Sequence, residues 1–60
     1  MSSAPRISEL DRVTAERAVN ARRNSNDAAF NAAFEEAVTR YGGVERLVWV
    51  LADELARMTR

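Results

Sequence analysis

Apolar positions recur at steps of three and four along most of this chain, the spacing that lines one face of an α-helix. The longest series is Val44, Leu47, Val48, Leu51, Leu55 and Met58, which predicts a helix near 44–58. Phe30, Ala33, Phe34, Ala37, Val38 and Tyr41 predict another near 27–41. Ile7, Leu10, Thr14, Ala18 and Ala21 form the narrow, small-residue stripe of a first helix near 9–23, with Val13 and Val19 on its flanks. Trp49 and Val50 fall off the stripe of the third helix, and Ala52 and Ala56 widen it on the Trp49 side. So small a chain has little core in which to hide a second apolar face. The surplus points to contact with another chain.

Caps and stops agree with this division. Ser8 is placed as an N-cap, with Asp11 three residues on in a capping-box arrangement. Pro5 would also tolerate an earlier start. Arg22 and Arg23 suit the negative end of the first helix. Asn24-Ser25-Asn26 favours a turn, with Asn26 or Ser25 capping the second helix and Asp27 in its first turn. Gly42 is the expected stop and Gly43 gives freedom to turn. Glu36→Arg40 and Asp53→Arg57 have the favourable i,i+4 orientation, for a few tenths of a kcal/mol each.

The expected fold is therefore all-α: one domain over 1–60, with residues 1–7 as an arm. Helices two and three form a hairpin with a large apolar seam, and helix one is the weaker partner. The expected core is Leu10, Phe30, Phe34, Ala37, Val38, Tyr41, Val44, Leu47, Val48, Leu51 and Leu55. Tyr41 would keep its hydroxyl at the wet end of the seam. Helix one either completes a three-helix bundle within the chain or crosses to a second copy. At this size apolar burial and ordering entropy nearly cancel, so self-association, as a dimer of hairpins, is expected.

Composition narrows the chemistry. The chain has no Cys and no His, which removes disulfides, thiolate sites and the commonest general base and metal ligand. Glu35-Glu36 and Asp53-Glu54 are neighbours that point about 100° apart on a helix and do not converge. Ser2, Ser3, Ser8 and Ser25 lie in the arm or at caps with no base to activate them. No catalytic residue, metal site or cofactor is expected, and Phe30, Phe34 and Tyr41 read as core, not as a ligand pocket. Nine basic residues balance nine acidic ones, so no bulk charge draws the chain to nucleic acid or anionic lipid. All nine are Arg; with the abundant Ala, this looks like a GC-rich genome, and bacterial phages and mobile elements encode many small chains of this make-up.

No secretory leader is visible at the N-terminus, and the longest apolar run, Leu47 to Ala52, is far below the roughly 20 residues that span a bilayer. A cytoplasmic protein without membrane attachment is expected. In helix three the basic residues Arg46, Arg57 and Arg60 are offset by Glu45, Asp53 and Glu54, unlike a membrane-surface helix. Arg12, Arg17, Arg22 and Arg23 scatter around helix one among acidic residues, with no aromatic between them to stack on a base.

One resemblance bears on function. The run from Ala37 to Leu47, with its Gly at the turn, resembles the opening of helix-turn-helix motifs, and Val48 and Leu51 fall where the second helix of such a motif is buried. The resemblance implies a small nucleic-acid-binding regulator. The positions that would face DNA are Val44, Glu45, Arg46, Trp49 and Val50, largely apolar and with a single cation, where base readers carry Arg, Lys, Asn or Gln. The favoured expectation is a non-enzymatic protein-interaction module, homo-oligomeric and an adaptor or inhibitor of a larger protein. Its contact patch is Trp49, Val50, Ala52, Ala56 and Glu45, because Trp is enriched at binding hot spots and two small residues beside it admit another helix.

Overall fold

The computed structural model describes residues 3–59; Met1 and Ser2 of the expected arm, and Arg60, lie outside them. Three helices follow one another: α1 (Glu9–Arg23), α2 (Asp27–Val38) and α3 (Gly43–Met58). No strand occurs among the described residues, and the all-α expectation holds.

Side-chain chemistry sets the helix ends. Ser8 Oγ accepts from the Asp11 N–H at 3.2 Å, while the Asp11 carboxylate accepts from the Ser8 N–H at 2.9 Å, a reciprocal capping box. At the other end of α1 the Ser25 N–H bonds to the Arg22 carbonyl and the Asn26 N–H to the Ala21 carbonyl. This is a Schellman arrangement, with Ser25 in the left-handed conformation (φ 54°) where Gly is commonest. Asn26 then caps α2 by accepting from the Ala29 N–H at 3.0 Å.

The packing hierarchy differs from expectation. Helix α1 is the centre of the fold: it packs most extensively on α2 and next on α3, while α2 and α3 touch least. On α1 and α2 every buried hydrophobic residue is alanine: Ala15, Ala18, Ala21, Ala33 and Ala37. Small side chains let the two helices approach closely, and α3 contributes Leu47 and Val50 to the shared core. Ile7, Val44 and Leu51 pack on that cluster from its margin.

Of the expected core, Ala37 and Leu47 are buried and Phe30, Val44 and Leu51 half-buried. Leu10, Phe34, Val38, Tyr41, Val48 and Leu55 are exposed. The reason is that Thr14, Ala15, Ala18, Ala33 and Ala37 occupy the interface, leaving no depth for larger neighbours one position to the side.

Helix α2 ends at Val38 and not at Tyr41. The Arg40 N–H turns back to the Ala37 carbonyl at 3.1 Å, and the Thr39 hydroxyl donates to the Glu36 carbonyl at 2.7 Å. Tyr41 thus sits in a turn, fully exposed. Gly42 takes φ 69° and caps α3, and the turn closes through the Gly43 N–H to the Arg40 carbonyl at 2.8 Å. Gly43 is buried against the end of α2, where a Cβ would overlap the Ala37 carbonyl oxygen and lie 3.2 Å from Arg40 Cβ.

One polar cluster joins all three helices. Asp11, 2% exposed, lies on the buried face of α1. Its carboxylate accepts from Arg46 Nε on α3 at 2.9 Å and from Arg40 Nη2, just past α2, at 3.3 Å. Ser8 Oγ donates to it at 2.9 Å. Arg46 Nη1 also donates to the Tyr41 carbonyl at 2.9 Å, holding the α2–α3 turn, and Thr14 Oγ1 accepts from Arg40 at 3.4 Å. The expected Glu36→Arg40 pair does not form, because Arg40 lies beyond the helix and turns to Asp11, while Glu36 pairs with Arg17 of α1. Arg57 pairs with Glu54 at 3.7 Å in place of Asp53. No buried side-chain N or O atom among the described residues lacks a partner.

Burial pushes the Asp11 carboxyl up, but the Ser8 backbone and hydroxyl donors, with the charge and N–H of Arg46, outweigh it and leave the group below its ordinary value. A depressed carboxylate stabilises the fold fully above its unfolded value of about 3.9, and the contribution is lost as pH falls through the lower folded value. Asp11→Asn should therefore destabilise the chain by about 3 kcal/mol or more at neutral pH, since it leaves two half-buried guanidinium groups unpaired. Its stability should also change less between pH 5 and pH 2 than that of the parent chain; equal acid sensitivity in a pH series of thermal melts would contradict the assignment. Gly43→Ala should cost about 1–3 kcal/mol by overpacking against backbone, and a melt unchanged from the parent would show that α3 does not approach α2 so closely.

Candidate protein-interaction surface

Along α3 the side chains fall into parallel rows, because steps of four and three return to nearly the same angle on a helix. The row Gly43, Leu47, Val50 and Glu54 begins with three buried residues, and Val50 packs with Ala15 of α1 in the core cluster. The next row is Val44, Val48, Leu51, Leu55 and Met58, and the one after it Glu45, Trp49, Ala52 and Ala56. In these two outer rows Val44 and Leu51 are half-buried and every other residue is exposed.

The structure thus treats the expected contact patch unevenly. Glu45, Trp49, Ala52 and Ala56 share one exposed row, with Trp49 38% exposed. Val50 does not belong to it. It is 6% exposed, because the room left by the alanines of α1 is filled by Leu47 and Val50 and not by the indole. The exposed part of the expected patch is Trp49, Ala52 and Ala56 with Glu45 at one end.

Sequence reasoning assigned the middle row to the core and so missed it as surface. Leu55 is 62% and Met58 71% exposed, and from Ala52 to Thr59 no residue is buried. The last two turns of α3 contribute nothing to the core, and Glu54 lines a groove shared with α1. A helical end of that length has little stability of its own in water. Phe34 and Val38, exposed on α2, add to the same deficit: the apolar seam expected between α2 and α3 is present as residues but is not closed by packing. The fourfold step of Val44 to Val48, carried on to Leu55 without a charged residue, was the available signal.

Other surfaces offer less. A groove of about 320 Å³ between α1 and α3 has a floor of Ala15, Val19 and Val50 and charged residues such as Arg12, Glu16, Arg23 and Glu54 at its edges. The aromatic residues Phe30, Phe34 and Tyr41 do not line it. Among the described residues no group of three acidic side chains converges as a metal site would require, and no helix is long and apolar enough to cross a membrane. Of the residues that would face DNA in a helix-turn-helix, Val50 is in the core, Val44 is half-buried, and Arg46 is bound to Asp11 and the Tyr41 carbonyl.

The placement of Trp49 has a direct consequence. On the expected use of this row as a contact patch, Trp49→Ala should leave helicity close to that of the parent chain while weakening association with a partner by about 2 kcal/mol or more. Loss of the far-ultraviolet helical signal in the variant at low concentration would place the indole in the core instead. No family model matches the chain, and no curated relative and no solved structure is similar to it.

Proposed function

We propose that this chain is a small non-enzymatic helical module that works in the cytoplasm by binding protein through the outer rows of α3, as an adaptor or inhibitor of a larger partner or by self-association. The observation that carries this reading is the exposure of Val48, Trp49, Leu55 and Met58 on one helix whose last two turns have no buried residue. Large apolar side chains clustered on one surface favour a protein partner, because their removal from water drives association at about 25 cal/mol per Å² of area buried. Glu45 is the only charged residue in the two rows, so the surface selects by shape more than by charge. The helix-turn-helix alternative draws no support from Arg46, whose guanidinium is already bound within the fold.

A photo-crosslinking amino acid at position 56, in place of Ala56, tests the proposal in the native host. The expected result is a covalent adduct with protein, either a second copy or another chain, that is absent when the same group replaces Asn24 in the turn between α1 and α2. Adducts with nucleic acid alone, or none, would overturn it. So would sub-micromolar binding of duplex DNA in physiological salt with the steep salt dependence of phosphate contacts.

A further inference from the structure

We infer that the partner seated on the middle row of α3 is a second copy of this chain, joined through Val44, Val48, Leu51, Leu55 and Met58. The inference rests on the reading of α3 as a docking surface and names its occupant.

Three observations converge on this occupant. The first is spacing. The five residues succeed one another by four, three, four and three, the heptad pattern of a coiled-coil seam two repeats long. A seam of this kind is complementary to itself, since the knobs of one copy enter the holes of an identical helix. The second is charge. Glu45, Arg46, Asp53, Glu54 and Arg57 all lie in other rows, so a twofold pairing along this one brings no like charges face to face in the seam. A twofold interface uses the same patch on both copies, which an uncharged row permits in either direction.

The third observation is area. The chain exposes 4759 Å², whereas a compact monomer of 6.7 kDa exposes about 3,900 Å². The excess of roughly 850 Å² matches the ~800 Å² that one partner contributes to a standard protein interface. The radius of gyration agrees: 11.7 Å, against about 10 Å for a compact chain of 60 residues. The extended residues before α1 contribute to this excess together with the exposed turns at the end of α3, Phe34 and Val38. A second copy covers that surface and gives the last two turns of α3 something to pack on.

The absence of native cysteine allows a clean test by disulfide trapping. Val48→Cys and Leu55→Cys are each prepared in the full chain, with Asn24→Cys as a control remote from α3. The parent chain should sediment at twice its 6.7 kDa mass at tens of micromolar. On mild oxidation a parallel pairing links each α3 variant to itself, and an antiparallel pairing links Val48→Cys to Leu55→Cys in a mixture. Either should run at least tenfold faster than the Asn24→Cys control. Leu55→Glu should weaken dimerisation at least tenfold, and Val48→Glu, at a position 57% exposed, should do the same. A parent chain that sediments as a monomer at 100 μM, or trapping no faster than the control, overturns the inference. In that case an adduct from position 56 with a different protein would leave the proposed function standing, whereas loss of all protein adducts would remove both.

Discussion

The Asp11 carboxylate holds the three helices in register. It caps the helix that carries it, receives Arg40 from the end of α2 and Arg46 from the start of α3, and through Arg46 fixes the turn between them. A buried carboxylate without donors would cost far more than the fold can bear, so each of these partners is required by the others. The geometry that satisfies Asp11 brings Gly43 against Ala37 and lays the row of Leu47 and Val50 on α1. The orientation of α3, and with it the choice of rows left outside, follows from this one charged group.

The small residues of α1 and α2 make the same choice from the apolar side. Alanine against alanine permits close approach and good backbone helicity, but each buried methyl removes little area from water. Among the described residues Leu47 and Val50 are the only buried aliphatic side chains larger than alanine. The bulkier groups, Phe34, Val48, Trp49, Leu55 and Met58, stay where water reaches them. The interior is thus apolar but built mostly of small side chains, while most of the large apolar side chains lie on the surface.

Much of the fold can be read from the sequence, because its causes are local. The start of α1, the Ser8–Asp11 box and the Asn26 cap depend on residues three positions apart. The end of α2 is misread because Tyr41 continues the apolar spacing, while its place in the turn is decided by Arg46, five residues later. Asp11 is readable as a cap but not as a joint. Its only further signal is its position on the wheel between Ala18 and Ala15, inside the small-residue face. The rows of α3 are visible as spacing, yet which row faces inward depends on the approach of α1, which no local pattern encodes. Val50 and Leu55 accordingly exchange the places expected of them, while Trp49 lies outside the buried core.

The uncovered end of α3 also bears on how long a copy of this chain lasts in a cell. Segments with no buried contacts open at almost no free-energy cost, and cleavage follows the population of the open form. From Ala52 to Thr59 no residue is buried, and Leu55 and Met58 are the apolar side chains this segment presents when it frays. Proteolysis of the native chain therefore begins in this segment, before α1 or α2 opens.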